Sequence, residues 1–554
     1  MTDSLLSRRD VLVAGSGLTA LGASGGAVSG GAAAAATGGG TTAGTLAGTP
    51  RAPFDTLREY VAALEANGLL LRFPEIDQDR YEATGLVYRA NDRYGFTGVP
   101  ALYFDRVKIG GEWVQGPLLG LLQSHLNTDA IVLGQPLVPG DPRASYRGAK
   151  AYLADVLKRN NGRYPEIPPV TVSRERALCK EVVLRGDDID LTKFAFVQTN
   201  PKDAGRYINA TSVFTSDPVL GNNFGTYRCQ LKGPRLIGLN PEENQSGWKM
   251  LMAAKARGEA VAKVSIALGQ DPVVWFISCT RVAPRFGDEP VDELAVAGGF
   301  RGRPLEVVRS EDSDLLVPAH AEMIIEGEVP LQVPGQPEGP FGEMFGYLGA
   351  RKSENFFVNV TTVTHRRDPW IVNMYTGLQR GMITAPMDAL SDYLLRQTLP
   401  NVVESYQPQD TMGVFVVSID KNAPGQGLKA GQNVARYNPI AKVVIVVDKD
   451  IDVMDTTQVL FALGSRWQPS PATEILTKQR GLITDPSLRV VRETSKIIID
   501  ATMQWPEEGG RDEFPATNRA LLRNDVPGVF AEVDRLYGTA LAKWGATPVK
   551  GSPQ

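Results

Sequence analysis

Cysteine and histidine are both scarce in this chain of 554 residues: only Cys179, Cys229 and Cys279, and only His125, His320 and His365. No C-x-x-C pair and no even cysteine framework exists, which argues against a disulfide scaffold and against a structural zinc site. The cysteines read as small core residues, and Cys229, beside Arg228, has no histidine neighbour to activate it. No H-E-x-x-H or similar arrangement joins the histidines, so any metal must lean on oxygen ligands. Basic blocks are missing too. The net charge is −4, the pI about 5.7, and positive runs stop at pairs such as Arg366-Arg367, so a nucleic-acid partner is set aside. Strongly apolar runs are also absent near the N-terminus, where Gly and Ala dominate and a membrane anchor is a poor fit.

What is present is ordinary in amount and unusual in arrangement. A hydrophobic share of 43% with 22% charge suits a globular protein, and 554 residues exceed one core, so two or three domains are expected. The chain opens on Ser7-Arg8-Arg9-Asp10-Val11-Leu12, and Gly15-Ser16-Gly17-Leu18-Thr19-Ala20 then imitates a dinucleotide fingerprint. That fingerprint needs an acidic residue about 20 positions on. None stands between Val11 and Phe54; Gly31-Ala32-Ala33-Ala34-Ala35-Ala36 follows instead. Paired arginines, a mild apolar stretch and small residues together read as a twin-arginine export signal over residues 1–49, with release to the periplasm or cell exterior.

Three regions follow. Residues 50–169 read as an α/β region: Phe54 to Glu65 has helical spacing, Asn67-Gly68 is a stop, and Tyr164-Pro165-Glu166-Ile167-Pro168-Pro169 reads as a linker. Residues 170–376 turn to short β-branched runs, such as Ala262 to Leu268, Val273 to Ser278 and Phe356 to Val360. They are expected to form a β-rich domain, read as a barrel, with one helix near Trp248 to Arg257. Residues 377–554 alternate a helix through Leu390 to Leu395, a strand at Val414 to Ile419, the apolar run Val443 to Val447 and a helical pattern from Gln458 to Trp467, which predicts a parallel α/β layer.

The chemistry concentrates in Glu338-Gly339-Pro340-Phe341-Gly342-Glu343 and the Met344-Phe345-Gly346-Tyr347 that follows. Glycines and a proline bar both helix and regular strand, so the segment is expected to be a shaped loop that aims two carboxylates. If they share one pocket, repulsion raises one pKa and leaves the other acid ionised, a proton donor beside a fixed anion. Alone, such a pair is more often a solvated turn. Upstream, Gly221-Asn222-Asn223-Phe224-Gly225-Thr226-Tyr227-Arg228 offers a permanently charged, carboxylate-shaped guanidinium, and Asp292-Glu293-Leu294-Ala295-Val296-Ala297-Gly298 follows it. On its own, Arg228 is as well read as a structural arginine at a barrel rim.

In this order and spacing, N-x4-R, Glu-Leu-Ala-x-Ala-Gly and Glu-Gly-Pro-Phe-Gly-Glu-x-x-Gly-Tyr resemble the UbiD family of prenylated-flavin decarboxylases, over roughly Phe54 to Leu541. The resemblance implies a mixed α+β fold, in which a central split β-barrel binds prenylated FMN between an α/β N-terminal region and an α/β C-terminal domain that dimerises. It also implies a small carboxylic acid as substrate and a flavin prenyltransferase as cofactor supplier. Carried over, Arg228 is the catalytic arginine, Glu338 its paired carboxylate and Glu343 the acid that returns a proton to carbon. Asn223 and Glu293 match ligands for Mn2+ or a similar ion at the flavin phosphate, with potassium as an additional cation. Phe224, Gly225 and Thr226, with Gln245 and Ser278, complete the flavin-binding positions. One departure stands out: the family's Gln-His pair reads Gln245-Ser246 here, so the third ligand is either missing or replaced, with Ser246, Asn244 or a water as stand-ins. A phosphate-binding lysine of the family is matched by Arg436, with Lys429 as the alternative.

Met344, Phe345 and Tyr375-Thr376-Gly377-Leu378 are expected to shape the pocket. Two other readings remain open from sequence: an exported flavin- or ligand-binding protein of this fold without turnover, and an FMN oxidoreductase, which accounts poorly for the two-glutamate loop.

Overall fold

The computed structural model describes residues 50–243, 245–279, 291–381 and 384–543. The stretch read as an export signal and Asn244 lie outside them.

Helix Leu57–Ala66 opens on a capping box of Thr56 and Glu59 and stops at Asn67, with Gly68 at φ 70° behind it. Its apolar face buries Leu57, Tyr60, Val61 and Leu64. Strand Leu70–Asp77 follows and lies parallel to Ala101–Ile109, with helix Glu82–Tyr94 as the crossover. The mixed sheet they begin is five-stranded, and it recruits Ile371–Val372 from far downstream beside Leu118–Gly120.

The segment read as a linker is a packed one. Tyr164 donates its hydroxyl to the Pro386 carbonyl at 2.6 Å, and Ile167 donates its amide to Ala295 at 2.8 Å. A Cβ at Gly298 would stand 2.2 Å from the Ile167 carbonyl oxygen and one at Gly299 1.6 Å from that of Pro165. The glycines after Glu-Leu-Ala-x-Ala are therefore the residues that let this segment dock on helix Glu293–Arg301.

The middle of the chain forms a ten-stranded sheet whose long strands are Thr211–Asp217, Val261–Leu268, Met323–Pro330 and Lys352–His365. Its pairing order runs from Tyr207–Ile208 to Gly221–Gly225 as an open path, without a closed barrel among the described residues. The expected helix is present as Ser246–Ala256, but it is not alone. Val273 to Ser278, expected as a strand, belongs to helix Pro272–Cys279, and Glu293–Arg301 is a third helix. Asp271 accepts the Val273 amide at 2.6 Å and Pro272 leads the first turn. A helix buried nearly all round loses the polar periodicity that tells it from a buried strand.

Beyond helix Ala385–Thr398 lies a five-stranded sheet in the order Val402–Tyr406, Val414–Ile419, Val443–Asp448, Glu493–Asp500, Thr473–Arg480. Its three inner strands are parallel, as expected for Val414–Ile419 beside Val443–Asp448, and both edges are antiparallel. The run at Val443 is central and buried, as a continuous apolar strand must be. Helices Asn518–Asp525 and Val529–Ala542 close the described chain without a single buried residue. No helix among the described residues is long and apolar enough to cross a membrane.

Candidate active site

Glu338 ends the short strand Gln336–Glu338, paired in register with Lys352 of the long strand Lys352–His365. Gly339 then takes φ 76°, a conformation open to glycine, and Gly339-Pro340 is a cis peptide. The chain turns back on itself: the Glu343 amide bonds the Tyr347 carbonyl at 2.8 Å and the Gly349 amide that of Phe341 at 2.8 Å. The expected shaped loop is a short hairpin that presents Glu343 at its shoulder.

Arg228 pairs by backbone with Asn240, which sets its side chain across from this loop. Its Nε and Nη2 donate to the two oxygens of Glu338 at 2.9 and 2.8 Å, a fork-on-fork pair, while Nη1 bonds Glu343 Oε1. The Glu338 carboxylate is wholly buried and accepts a further bond from the Tyr207 hydroxyl at 3.1 Å. Phe341 lies 5.0 Å beneath the guanidinium and 4.4 Å from the Tyr207 ring, so one face of the arginine is sealed. Burial works against the Arg228 charge, but the Glu338 bonds and the Glu343 charge outweigh it and raise its pKa further. Burial also pushes the Glu343 carboxyl above its ordinary value, against the pull of Arg228, with Glu242 and Glu338 adding to the rise. One carboxylate locked by three donors and a second with a raised pKa share one guanidinium, which is the division of labour an acid site needs.

Two of the positions expected for a metal, Asn223 and Glu293, line one cavity. Strand Gly221–Gly225 carries Asn223, and Glu293 accepts the adjacent Phe224 amide at 2.8 Å. Tyr227 ties in the helix start: its hydroxyl accepts the Gly247 amide at 3.0 Å and also bonds the Asn223 side chain. Ser246, one residue before Gly247, therefore stands at the same junction. Gln245 spends its amide oxygen on the Glu242 backbone at 2.7 Å, and Thr226 bonds Ser278 through both backbone and hydroxyl, at 2.9 and 3.0 Å. Phe224 stacks on Phe214. The thiol of Cys279, within 3.4 Å of Thr226, is pushed up to about 12 by burial, and burial likewise raises Cys229; neither is poised as a nucleophile.

A cavity of about 370 Å³ opens beside Asn223 and Glu293, and Asp292, Glu259 and Asp314 line it with Lys263 as the one cation of its lining among the described residues. No group of three His, Cys, Asp or Glu converges for a metal among the described residues. The oxygen donors of Asn223 and Glu293 are of the kind a hard divalent cation takes. Arg436 is not brought here. It is exposed on helix Gln426–Tyr437 with its guanidinium over Tyr437 at 5.4 Å, and Lys429 is exposed on the same helix. The Gly377 segment, expected to help shape the pocket, meets the loop: a Cβ at Gly377 would stand 2.7 Å from the Glu343 carbonyl, and Phe345 of the loop reaches within 3.4 Å of a Cβ at Gly413 in the C-terminal region.

Sequence reasoning missed Tyr207, Asn240, Glu242 and Lys352. Lys352 donates to Glu242 at 2.6 Å and to Asn240 at 2.7 Å, flanking the Arg228 pair. Strand register brings these residues together across more than a hundred positions, and no local motif announces it.

Comparison with known proteins matches this geometry to a class. Residues 170–379 fit the 3-octaprenyl-4-hydroxybenzoate carboxy-lyase Rift-related domain, and residues 381–501 fit the C-terminal domain of the same carboxy-lyase, so the class is carboxy-lyase. The chain belongs to the UbiD family. Among its relatives is a phenolic acid decarboxylase of Sedimentibacter hydroxybenzoicus, 30% identical over 503 residues that cover 85% of this chain and 98% of that one. Among solved structures, the UbiD-class enzyme HmfF of Pelotomaculum thermopropionicum, in complex with FMN, superposes with a TM-score of 0.70 at 28% identity, covering 86% of this chain and 98% of HmfF. The open form of the vanillic acid decarboxylase of Sedimentibacter hydroxybenzoicus gives 0.73 at 26% identity, over 88% and 99%.

Proposed function

We propose that the protein is a non-oxidative, reversible decarboxylase of an aromatic or α,β-unsaturated carboxylic acid that works with prenylated FMN. One observation carries the reading: Arg228 held between the buried Glu338 and the raised-pKa Glu343. Prenylated FMN, when bound, supplies the electron sink that no side chain here offers. Arg228 binds the substrate carboxylate, and Glu338 with Tyr207 keeps the guanidinium aimed. As the carbon–carboxylate bond breaks, carbon dioxide leaves without the bonding electron pair, and that carbon takes a proton from Glu343. Phe341 and the Gly377 segment keep water from the developing charge. Glu343 must be protonated at the start of this step, which its burial favours.

Asn223, Glu293 and Ser246 would hold Mn2+ or a similar ion against the flavin phosphate. The three regions, 50–169, 170–376 and 377–554, correspond to an α/β region, a split barrel built from the ten-stranded sheet, and a dimerising domain. The unburied apolar residues of helices Asn518–Asp525 and Val529–Ala542, among them Leu521, Leu522, Leu536 and Leu541, support a homodimer. Twin-arginine export through residues 1–49, and a flavin prenyltransferase as supplier, complete the proposal.

Production with a flavin prenyltransferase, followed by assay on a panel of cinnamic and benzoic acids, tests it. Bound modified flavin and released carbon dioxide are expected; protein without flavin under these conditions contradicts the reading. The replacement at Ser246 favours a second reading, an exported binding protein of the same fold without turnover. Glu343→Gln separates the two, since a binding protein is indifferent to it.

A further inference from the structure

The hairpin that carries Glu343 is held from outside by the segment Gln198-Thr199-Asn200-Pro201-Lys202-Asp203-Ala204, which passes it before the chain enters strand Tyr207–Ile208. Asp203, 7% exposed, uses its two carboxyl oxygens differently. Oδ2 accepts the Asn200 amide at 2.9 Å and, with the Asp203 amide on the Asn200 carbonyl at 2.9 Å, closes its own turn. Oδ1 leaves the turn and accepts the Gly342 amide at 2.8 Å, one residue before Glu343. The Ala204 amide adds a second tie, to the Pro340 carbonyl at 2.8 Å. The segment is anchored in turn on the N-terminal region. There the Thr84 hydroxyl donates to the Thr199 carbonyl at 2.8 Å and the Gln78 side chain to that of Gln198 at 2.9 Å, while the Gln198 side chain donates to the carbonyls of Asn200 and Asp203 at 3.2 and 3.1 Å. A few residues on, Tyr207 holds Glu338. One stretch of chain thus ties down both acids of the Arg228 site.

We propose that Asp203 is a positioning residue for the proton transfer: by holding the Gly342 amide it places the Glu343 carboxyl against the reacting carbon. This rests on Glu343 being the proton donor. The Glu343 side chain has little room to correct a shifted backbone, because it lies on Gly349, where a Cβ would stand 2.7 Å from its Cγ and 2.9 Å from its Oε1. The carboxyl therefore goes where the hairpin goes. The hairpin's own backbone bonds, Glu343 to Tyr347 and Gly349 to Phe341, close it on itself and leave its angle to Arg228 open. Asp203 and Ala204, fixed from the N-terminal side, supply that angle. A donor misplaced by about 1 Å loses about a hundredfold in rate, so one amide bond at this point carries weight.

Asp203→Ala in the flavin-loaded protein tests this by rate and by hydrogen exchange. Carbon dioxide release per bound flavin is expected to fall about ten- to a hundredfold with KM within about twofold of native, because Arg228 keeps Glu338 and still binds the carboxylate. Amides of residues 339–349 are expected to exchange about tenfold faster, while those of strand Lys352–His365 keep their native rates. Asp203→Asn, which keeps one acceptor oxygen, is expected to fall between the two in both readouts, and it takes the place of the alanine variant should that one fail to fold. The decisive arm is a double substitution. If Asp203 acts through Glu343, removing it costs less than about twofold in rate once Glu343→Gln is in place, whereas a merely structural role costs the same factor in both backgrounds. Equal costs in the two backgrounds, or native exchange in residues 339–349, overturn the proposal. If the native protein releases no carbon dioxide from any acid, the decarboxylase reading fails by itself, and the exchange of residues 339–349 in Asp203→Ala still decides whether Asp203 holds the hairpin.

Discussion

Two buried charge clusters in this molecule share their ingredients and differ in their use. In one, Arg228, Glu338 and Glu343 meet across strands and a glycine-rich hairpin. In the other, Arg147 and Lys150 of helix Pro142–Arg159 meet Asp392, Glu404 and Asp452 of the C-terminal region. Each contains a carboxyl raised by burial, Glu343 in the first and Asp388 in the second, the latter pushed up to about 7. Asp388 lies inside helix Ala385–Thr398 and is engaged by the Tyr146 hydroxyl at 2.5 Å. Lys150 is likewise spent, on Asp392 at 3.0 Å and the Ser405 carbonyl at 3.0 Å. A raised carboxyl therefore does not mark a reactive centre by itself. What sets Glu343 apart is its place on a loop, beside a guanidinium shaped to receive a carboxylate.

Removing the cation from each cluster gives the sharpest contrast. Arg228→Ala is expected to cut carbon dioxide release by about a hundredfold or more and, by stranding the buried Glu338, to cost about 3–5 kcal/mol of stability in denaturant titration. Lys150→Met is expected to cost a similar amount of stability, for the same reason, while the folded fraction keeps its native rate; a lost rate there would break the comparison. Next in size, Glu343→Gln is expected to lower the rate by about 10²–10⁴-fold with little change in unfolding. Tyr207→Phe removes one bond to Glu338, so a loss of about 1 kcal/mol in stability and a smaller loss in rate are expected.

The second cluster also carries a pH dependence. Asp388 has its folded pKa raised from 3.8 to about 7, so between these values the folded state binds the proton that the unfolded state has released. Stability then declines as pH rises through that window, and Asp388→Asn is expected to flatten the decline, read as the midpoint of urea unfolding against pH.

Much of the first cluster was legible in the sequence, because glycine, proline and paired acids punctuate it so sharply. Arg228, Glu338 and Glu343 come together as expected, and Glu293 bonds the Phe224 amide beside Asn223. Almost none of the second cluster was legible, since its charges sit on helices and strand ends at ordinary spacing. The same limit hid Lys352 and Glu242, which only strand register joins. Helix Pro272–Cys279 passed for a strand because burial on nearly every side erased its period, and the docked Tyr164 to Pro169 segment passed for a linker because close packing onto Gly298 and Gly299 leaves no local signal.

The central claim is that Glu343 donates the proton while Arg228 holds the carboxylate. Flavin-loaded Glu343→Gln, compared with the native protein for bound flavin by absorption and for carbon dioxide release on the same acid, tests it most directly. Retained flavin with release reduced by at least about a hundredfold is the result predicted. Release at the native rate would contradict it.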